Sequence, residues 1–226
     1  RDFDVQATHL DVMNFVTAGF RKLYTDFYIK LVNMAPAVWS YLYQLTNEAE
    51  ADSALQKFRR GLERLNTKAL FEEIARCQPD AIICTHFMPA ELLSGMQQKG
   101  LVSCPIWVQV TDFDLHRMWV QPGMAGYFAA NEEVAFRMRA YGIPATHIFV
   151  TGIPIMPAFA QSLARAVCAP EFGLDAKTKT ILLMGGGAGL GSLDALAEML
   201  LAVDHHFQLI VLAGKNQEVL SALDAL

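Results

Sequence analysis

Pro105-Ile-Trp-Val-Gln-Val110 is a short apolar run that predicts a buried strand. Three comparable runs lie near it in the sequence: Asp80-Ala-Ile-Ile-Cys84, Gly126-Tyr-Phe-Ala129 and His147-Ile-Phe-Val150. Helical stretches are predicted between them, at about 89–99 and 132–141. Short apolar strands separated by helices are typical of a parallel sheet with both faces covered. The sequence therefore predicts an α/β fold for this part of the chain.

The same alternation restarts after residue 173. It predicts a strand at 180–184, a glycine loop, a helix at 193–203, a strand at 207–212 and a final helix. The stretch 151–173 between the two series is punctuated by Gly152, Pro154, Pro157 and Pro170, as is typical of a linker. We therefore expect two α/β lobes, over 1–150 and 174–226, joined by a linker at 151–173.

The N-terminal region predicts a short strand at 4–10 followed by amphipathic helices. The apolar residues that recur at helical spacing are Phe20, Leu23, Tyr24, Phe27, Tyr28 and Leu31, then Trp39, Leu42 and Tyr43 after Pro36, then Leu55, Phe58, Leu62, Leu65 and Ala69. One interpretation is that these helices pack on the sheet. The other is an interfacial surface, in which aromatic side chains and the nearby Arg21, Lys22 and Lys30 contact anionic lipid.

Composition excludes several classes of protein. The 226 residues are 53% hydrophobic and 18% charged, which excludes disorder. A net charge of −5 gives no reason to expect a nucleic-acid partner. No apolar run reaches the roughly 18 residues of a membrane-spanning helix, and no signal peptide is visible after Arg1. We expect a piece of a longer protein, with Cys77, Cys84, Cys104 and Cys168 as free, buried thiols in a reducing compartment.

The glycine loop is the strongest chemical signal. Met184-Gly-Gly-Gly-Ala-Gly-Leu-Gly-Ser192 follows a predicted strand and opens a helix, where backbone amides favour an anion such as phosphate. No lysine follows the glycines, so a P-loop is excluded. The glycine spacing and the lack of an acidic residue after the next strand argue against a dinucleotide site. The pattern favours a bound diphosphate, with a tight turn that binds nothing as the alternative.

Polar residues also follow two strands of the first lobe, at the edge where open parallel sheets bind ligands. His86 follows the first strand, and the loop at 111–121 follows the second. Asp112-Phe-Asp114 resembles a metal-binding pair, but two carboxylates are weak evidence for a hard cation. His116 is either a cleft residue or a packed imidazole, and Trp119 on its own would be a core residue.

A series of motifs resembles the monogalactosyldiacylglycerol synthase and processive diacylglycerol glucosyltransferase family, related to the bacterial peptidoglycan N-acetylglucosaminyltransferase. The series comprises Val110-Thr-Asp-Phe-Asp-Leu-His-Arg-Met-Trp119, Tyr127-Phe-Ala-Ala-Asn-Glu-Glu133, Gly142-Ile-Pro144, His147-Ile-Phe-Val-Thr-Gly-Ile-Pro-Ile-Met-Pro-Ala-Phe159, the glycine loop and Ala213-Gly-Lys-Asn216. Phe20-Arg-Lys-Leu-Tyr24, Ala35-Pro36 and Trp39 also resemble the family's N-terminal helices.

The resemblance implies two Rossmann-like lobes of the GT-B type. The first lobe would lack its first strand and the second would be cut short. The enzyme would move a hexosyl group from a UDP-sugar to diacylglycerol without a bound metal or other cofactor. It would be cytoplasmic, peripheral on the inner face of the membrane and in contact with anionic lipid. The family's histidine that acts as the base would lie before Arg1, and its segment that binds the nucleotide and the sugar would lie after Leu226. This chain alone is therefore expected to be inactive.

Residue by residue, the resemblance implies two binding sites. The donor diphosphate would contact Gly185, Gly186, Gly187, Gly189, Gly191, Lys215 and Asn216. The acceptor would contact His86, Asp112, His116 and Trp119, with His116 the candidate base within this sequence. Three alternatives stay open: a GT-B enzyme for a polyprenyl-linked or soluble acceptor, a UDP-sugar epimerase, and a non-catalytic sugar-nucleotide or lipid-binding module. A dehydrogenase is opposed by the missing ribose-binding acid.

Overall fold

The computed structural model describes residues 4–19, 21–22, 67–185 and 192–225. The chain forms two compact units, one ending at Pro154 and the other beginning at Ile155. This boundary lies inside the segment 151–173 that was predicted to be a linker. The assignment of an acceptor role to one lobe and a donor role to the other stays a prediction.

The first unit is built on a parallel sheet. Its strands are β1 (Ile82–Cys84), β2 (Ile106–Gln109), β3 (Gly126–Ala129) and β4 (Ile148–Val150), and they lie side by side in that order. The described helices are α1 (Thr67–Cys77), α2 (Phe87–Gln98) and α3 (Glu132–Ala140), with 3-10 helices at Val12–Phe15, Arg117–Trp119 and Ala145–His147. Each connection joins two neighbouring parallel strands, so the carboxyl ends of all four strands lie at the same edge of the sheet.

One face of this sheet forms the core. Side chains of adjacent residues in a strand point to opposite faces. Ile106 and Val108 of β2 are fully buried, and so are Val134 and Met138 of α3. The opposite face carries an aromatic row of Trp107, Phe128 and Phe149. The ring centroids of Trp107 and Phe128 are 5.3 Å apart, and those of Phe128 and Phe149 are 6.1 Å apart.

Position 126 has no room for a side chain, because the Trp107 indole lies directly against the Gly126 backbone. Gly126 is the register partner of Trp107 in the neighbouring strand. A Cβ atom at position 126 would overlap Cζ3 of the Trp107 indole and lie 2.9 Å from Cε3. The missing side chain of Gly126 therefore makes room for Trp107 on the aromatic face.

The second unit contains a parallel pair of strands. In chain order its elements are α4 (Pro157–Ala160), α5 (Arg165–Glu171), β5 (Thr180–Met184), α6 (Leu193–Leu201), β6 (Gln208–Leu212) and α7 (Gln217–Leu223). The side chain of Gln208 bonds both the N–H and the carbonyl of Asp175, at 2.8 and 2.7 Å. These bonds tie the turn before β5 to the start of β6.

The six predicted strands after residue 79 are confirmed, with ends that shift by at most two residues. The strand predicted at 4–10 is wrong. Those residues pair with no strand among the described parts of the chain, and the Val5 side chain is 74% exposed there. The helices predicted at 15–31, 36–43 and 55–69 lie largely outside the described residues. None of the described helices combines the length and apolar character needed to cross a bilayer.

The cysteines differ in burial. All four are described and all four are free thiols. Only Cys84, on the core face of β1, is buried, while Cys77, Cys104 and Cys168 are half-buried. The expectation that all four are buried is therefore wrong for three of them. Burial raises the pKa of the Cys84 thiol to about 12.

Candidate functional site

Polar side chains gather where β1 and β2 end. Thr85 and His86 follow β1, and Thr111 and Asp112 follow the neighbouring strand β2 after Val110. The Thr111 hydroxyl donates to the Thr85 carbonyl across 3.5 Å, so the two loops touch. Ligands bind at the carboxyl ends of the strands in open parallel sheets. The exposed residues His86 and Asp112 are therefore brought to the edge where a ligand is expected.

His86 is the N-cap of α2. Its Nδ1 atom accepts a hydrogen bond from the Met88 N–H at 3.2 Å. A neutral imidazole that accepts at Nδ1 carries its proton on Nε2. The ring also packs against Phe87, with centroids 4.1 Å apart. Desolvation of the ring lowers the pKa of His86, and the negative charge of Asp112 acts in the opposite direction. The result is a largely neutral imidazole at neutral pH.

Trp119 lies beneath these two polar residues. Its indole Nε1 donates to Oδ2 of Asp112 across 2.8 Å. The side chain is only 1% exposed. The ring meets Phe87 edge to face at 5.9 Å and lies 6.1 Å from the His86 ring. Trp119 and Phe87 therefore form an apolar floor, and Trp119 sets the orientation of the exposed Asp112 carboxylate.

His116 is buried and has a structural contact. Its Nδ1 atom accepts from the Met118 N–H at 3.1 Å, capping the 3-10 helix Arg117–Trp119. Its carbonyl also accepts from the Trp119 N–H at 3.0 Å. His116 therefore helps to hold Trp119 in place. Its assignments as an acceptor contact and as the candidate base stay predictions.

The loop at 111–121 that carries Asp112 and Trp119, the site loop, is held at its end by the buried Tyr127. The Tyr127 hydroxyl donates to the Gln121 carbonyl at 2.8 Å and accepts from the Gln121 N–H at 2.9 Å. The Gln121 side chain donates to the buried Glu91 carboxylate at 3.2 Å and to the Met118 carbonyl at 2.8 Å. Sequence reasoning missed this network. The signal for it was Glu91, a charged residue within the otherwise apolar start of α2.

Gln109 ties β2 to the end of the first unit. This buried side chain donates from Nε2 to the carbonyls of Val110 and Gly152, both at 3.1 Å. Gly152 has a positive φ of 80°, which glycine adopts without strain. Sequence reasoning missed this contact too, although a lone polar residue within an apolar strand marked the position.

The two acidic residues of Asp112-Phe-Asp114 have different partners. Asp114 pairs with Arg137 at 2.8 Å, whereas Asp112 accepts from Trp119. Arg137 also bonds Glu133 at 3.0 Å. Over the described residues, no three His, Cys, Asp or Glu side chains converge in a way that could hold a metal ion.

The predicted donor residues lie in the second unit, and the structure describes three of them. The Gly185 N–H donates to the Leu212 carbonyl at 3.4 Å, which links the ends of β5 and β6. Lys215 is exposed just beyond β6. The Asn216 side chain caps α7 by accepting from the N–H groups of Glu218 and Val219, both at 3.2 Å. Gly186, Gly187, Gly189 and Gly191 lie outside the described residues. The diphosphate role of the whole set stays a prediction.

Known proteins resemble this chain in sequence. Residues 1–155 match the family model described as monogalactosyldiacylglycerol (MGDG) synthase. Two proteins named processive diacylglycerol beta-glucosyltransferase, from Bacillus pumilus (strain SAFR-032) and Bacillus subtilis (strain 168), are each 31% identical to it, over 164 and 166 residues. Each match covers 72% of this chain, and 42% and 43% of the two relatives. The chain thus spans less than half the length of these relatives.

A solved structure shares the fold. UDP-GlcNAc 2-epimerase from Neisseria meningitidis, bound to UDP-GlcNAc, superposes with a TM-score of 0.50 at 16% identity. The superposition covers 80% of this chain and 54% of the epimerase chain. The predicted α/β fold with Rossmann-like units of the GT-B type is confirmed. The family resemblance found in the motifs is confirmed as well.

Proposed function

The chain belongs to the monogalactosyldiacylglycerol synthase family, and on that basis we propose that the protein is a glycosyltransferase of glycolipid synthesis. It transfers a hexosyl group from a UDP-sugar to the free hydroxyl of diacylglycerol. The observation that carries this proposal is the family match over residues 1–155, which includes the whole polar edge formed by His86, Asp112 and the Trp119 floor.

In this proposal the acceptor binds at the edge of the first unit. His86 and Asp112 are exposed there and offer a hydrogen-bond donor and an acceptor. The half-buried Phe87 supplies an apolar surface next to them, and the buried Trp119 supports its ring from below. A diacylglycerol headgroup combines a hydroxyl with an apolar glycerol ester region, so both parts of the ligand meet matching chemistry.

The donor diphosphate binds in the second unit. Gly185 and the glycines after it begin the connection from β5 to α6, and Lys215 is exposed after the adjacent strand β6. Backbone N–H groups at a helix start and a lysine ammonium both stabilise negative charge. That stabilisation is needed most when the diphosphate departs.

The transfer exchanges one bond to the sugar for another. The acceptor oxygen forms a bond to the anomeric carbon, and the bond from that carbon to the β-phosphate oxygen breaks. UDP leaves with the electron pair, and a base takes the hydroxyl proton. His116 is the candidate base within this chain. Its ring, 4% exposed, would have to become accessible before it could reach a hydroxyl.

Because the acceptor is a membrane lipid, the protein in this proposal works as a peripheral protein on the inner face of the membrane. The basic residues Arg21, Lys22 and Lys30 and the aromatic residues near them in the sequence are proposed to contact anionic lipid. Flotation with liposomes of neutral and of anionic lipid tests this part by itself. Equal and negligible flotation with both would reject it.

The activity is tested by following a labelled sugar. The 226-residue chain, and the longest natural reading frame that contains it, are each incubated with radiolabelled UDP-glucose or UDP-galactose and diacylglycerol vesicles. We expect labelled glycolipid from the longer protein. No lipid product with any UDP-hexose would reject the proposal. Label on a water-soluble acceptor, an isomerised UDP-sugar, or UDP binding without turnover would each indicate one of the three alternatives.

A further inference from the structure

We propose that Asp112, oriented by Trp119, makes the polar edge of the first unit selective for uncharged, hydroxyl-bearing lipid headgroups over phosphate-bearing ones. The inference rests on the proposed function, because it takes this edge to be the acceptor site. It goes further because it names the carboxylate that disfavours phosphate-bearing lipids, whose acyl chains can be the same as those of diacylglycerol.

The first step is the hydrogen-bonding character of the two exposed side chains. The His86 Nδ1 atom is occupied by the Met88 N–H, so the neutral ring presents an N–H donor at Nε2. Asp112 presents carboxylate oxygens, which only accept. A hydroxyl group can accept from the first and donate to the second. An ionised phosphate monoester satisfies the donor but meets the carboxylate with like charge.

The second step is that the carboxylate is held in place. An exposed aspartate ordinarily samples several rotamers, which weakens its effect on a ligand. Here the Trp119 indole donates to Asp112 across 2.8 Å, and Trp119 itself is fixed by burial and by the edge-to-face contact with Phe87. Trp119 is therefore a positioning residue, which acts on the ligand through Asp112.

The third step concerns the other charges at this edge. Helix α2 begins at Phe87, so its positive end points to the site and would by itself attract an anion. The Asp112 carboxylate supplies negative charge at that end, because it accepts from the Trp119 indole, whose ring lies 6.1 Å from the His86 ring. The neighbouring Asp114 is paired with Arg137 at 2.8 Å. Asp112 is thus the carboxylate of this loop that faces the proposed ligand.

The test compares two lipids that differ only in the phosphate. The 226-residue chain is titrated at pH 7.5, in micelles of a polyoxyethylene detergent, with dioctanoylglycerol or with dioctanoyl phosphatidic acid, and the His86 imidazole signals are followed by NMR. We expect wild type to prefer dioctanoylglycerol by about tenfold or more. Asp112→Asn should remove most of that preference. Asp114→Asn is the matched control, two residues away in the same loop, and should keep it.

Trp119→Phe tests the positioning role. It removes the indole donor, so we expect a preference between those of wild type and Asp112→Asn, with the His86 signals still dispersed as in a folded protein. If Trp119→Phe fails to fold, Asp112→Asn still decides the selectivity. A full preference in folded Trp119→Phe would contradict the positioning role.

Two further outcomes separate this inference from the proposed function. If Asp112→Asn and Asp114→Asn behave alike while the longer protein forms glycolipid, the selectivity inference alone is wrong. If wild type binds neither lipid at this edge, the acceptor assignment is wrong and the inference falls with it.

Discussion

The phenol of Tyr127 closes a two-way hydrogen bond with the backbone of Gln121, donating to its carbonyl at 2.8 Å and accepting from its N–H at 2.9 Å. Tyr127 lies on β3, and Gln121 ends the loop that carries Asp112 and Trp119. One buried hydroxyl therefore fixes the end of the site loop to the sheet.

Replacing Tyr127 by Phe should loosen that loop. The Gln121 N–H and carbonyl would both lose their partner in a buried place, which costs about 1–3 kcal/mol of unfolding free energy. Trp107 and Trp119 lie in the first unit and the sequence has no tryptophan after Trp119, so denaturant unfolding followed by tryptophan fluorescence reports on this unit. Unchanged stability in Tyr127→Phe would contradict a structural role for the hydroxyl.

The same residue predicts a loss of stability in alkali. Burial raises the pKa of Tyr127 to about 12, above the value near 10 of an unfolded tyrosine. The folded state therefore holds its proton where the unfolded state releases it. This contribution is complete below pH 10 and is lost progressively from pH 10 to 12, by about 2–3 kcal/mol. Cys84, whose pKa is also raised to about 12, adds a larger loss that begins near pH 9.

The variant Tyr127→Phe separates these two groups. It should be less stable than wild type at pH 8 yet lose less stability between pH 10 and 12, because only the Cys84 contribution remains. Parallel declines in the two proteins would show that Tyr127 does not titrate in this range.

His86 should report the charge of Asp112. Desolvation lowers the His86 pKa and the Asp112 carboxylate partly opposes that effect. Asp112→Asn should therefore lower the pKa of His86 further, as measured by NMR titration of the imidazole. Asp114→Asn serves as the control and should leave it nearly unchanged, because Asp114 pairs with Arg137. A rise of the His86 pKa in Asp112→Asn would have the wrong sign.

Gly126→Ala should destabilise the first unit. The added methyl group would overlap the Trp107 indole and lie 3.1 Å from the His147 carbonyl oxygen, so the ring or the strand must shift. Overpacking of this kind costs about 1–3 kcal/mol. Gly95→Ala, in α2 with open space around the new methyl group, should be neutral or stabilising by up to about 1 kcal/mol. Equal effects of the two substitutions in urea unfolding would contradict the crowding at Gly126.

Gln109→Leu should destabilise the end of the first unit. It removes the bonds to the Val110 and Gly152 carbonyls, at a cost of about 1–3 kcal/mol. Gln98→Leu replaces an exposed glutamine on α2 and should change stability by less than about 0.5 kcal/mol. Faster hydrogen exchange at Thr151 and Gly152 in Gln109→Leu, but not in Gln98→Leu, would place the effect at the end of β4. Identical exchange in both variants would refute this anchoring role.

Most of the fold could be predicted because its strands are apolar runs bounded by polar loops. The runs at 80–84 and 126–129 are distinct from their surroundings in composition alone, and burial of one face of the sheet requires apolar residues there. The strand predicted at 4–10 is wrong because, among the described residues, those positions pair with neither sheet. Local pattern cannot show whether a partner surface is present.

The site was predicted less completely than the fold. The position of His86 and Asp112 at one edge could be predicted because each follows a strand end, and topology brings such positions together, while their contact with a ligand stays a prediction. The caps made by His86 and His116 depend on the side-chain rotamer at a helix start, because each ring accepts from the N–H only two residues ahead. The clamp between Tyr127 and Gln121 depends on where a side chain meets a backbone group of another element. Contacts of that kind span up to 43 residues here, as between Gln109 and Gly152, and leave no periodic trace in the sequence.

Trp119 has consequences for how easily this protein can be redesigned. Loop residues beyond a strand end can ordinarily be exchanged to alter ligand choice without touching the framework. Here the ring that aims Asp112 is also among the largest fully buried side chains. If this edge binds the acceptor as proposed, selection for a new headgroup at Trp119 would be coupled to selection for folding. Engineered changes of specificity would then be better directed to His86 and Asp112, with the tryptophan retained.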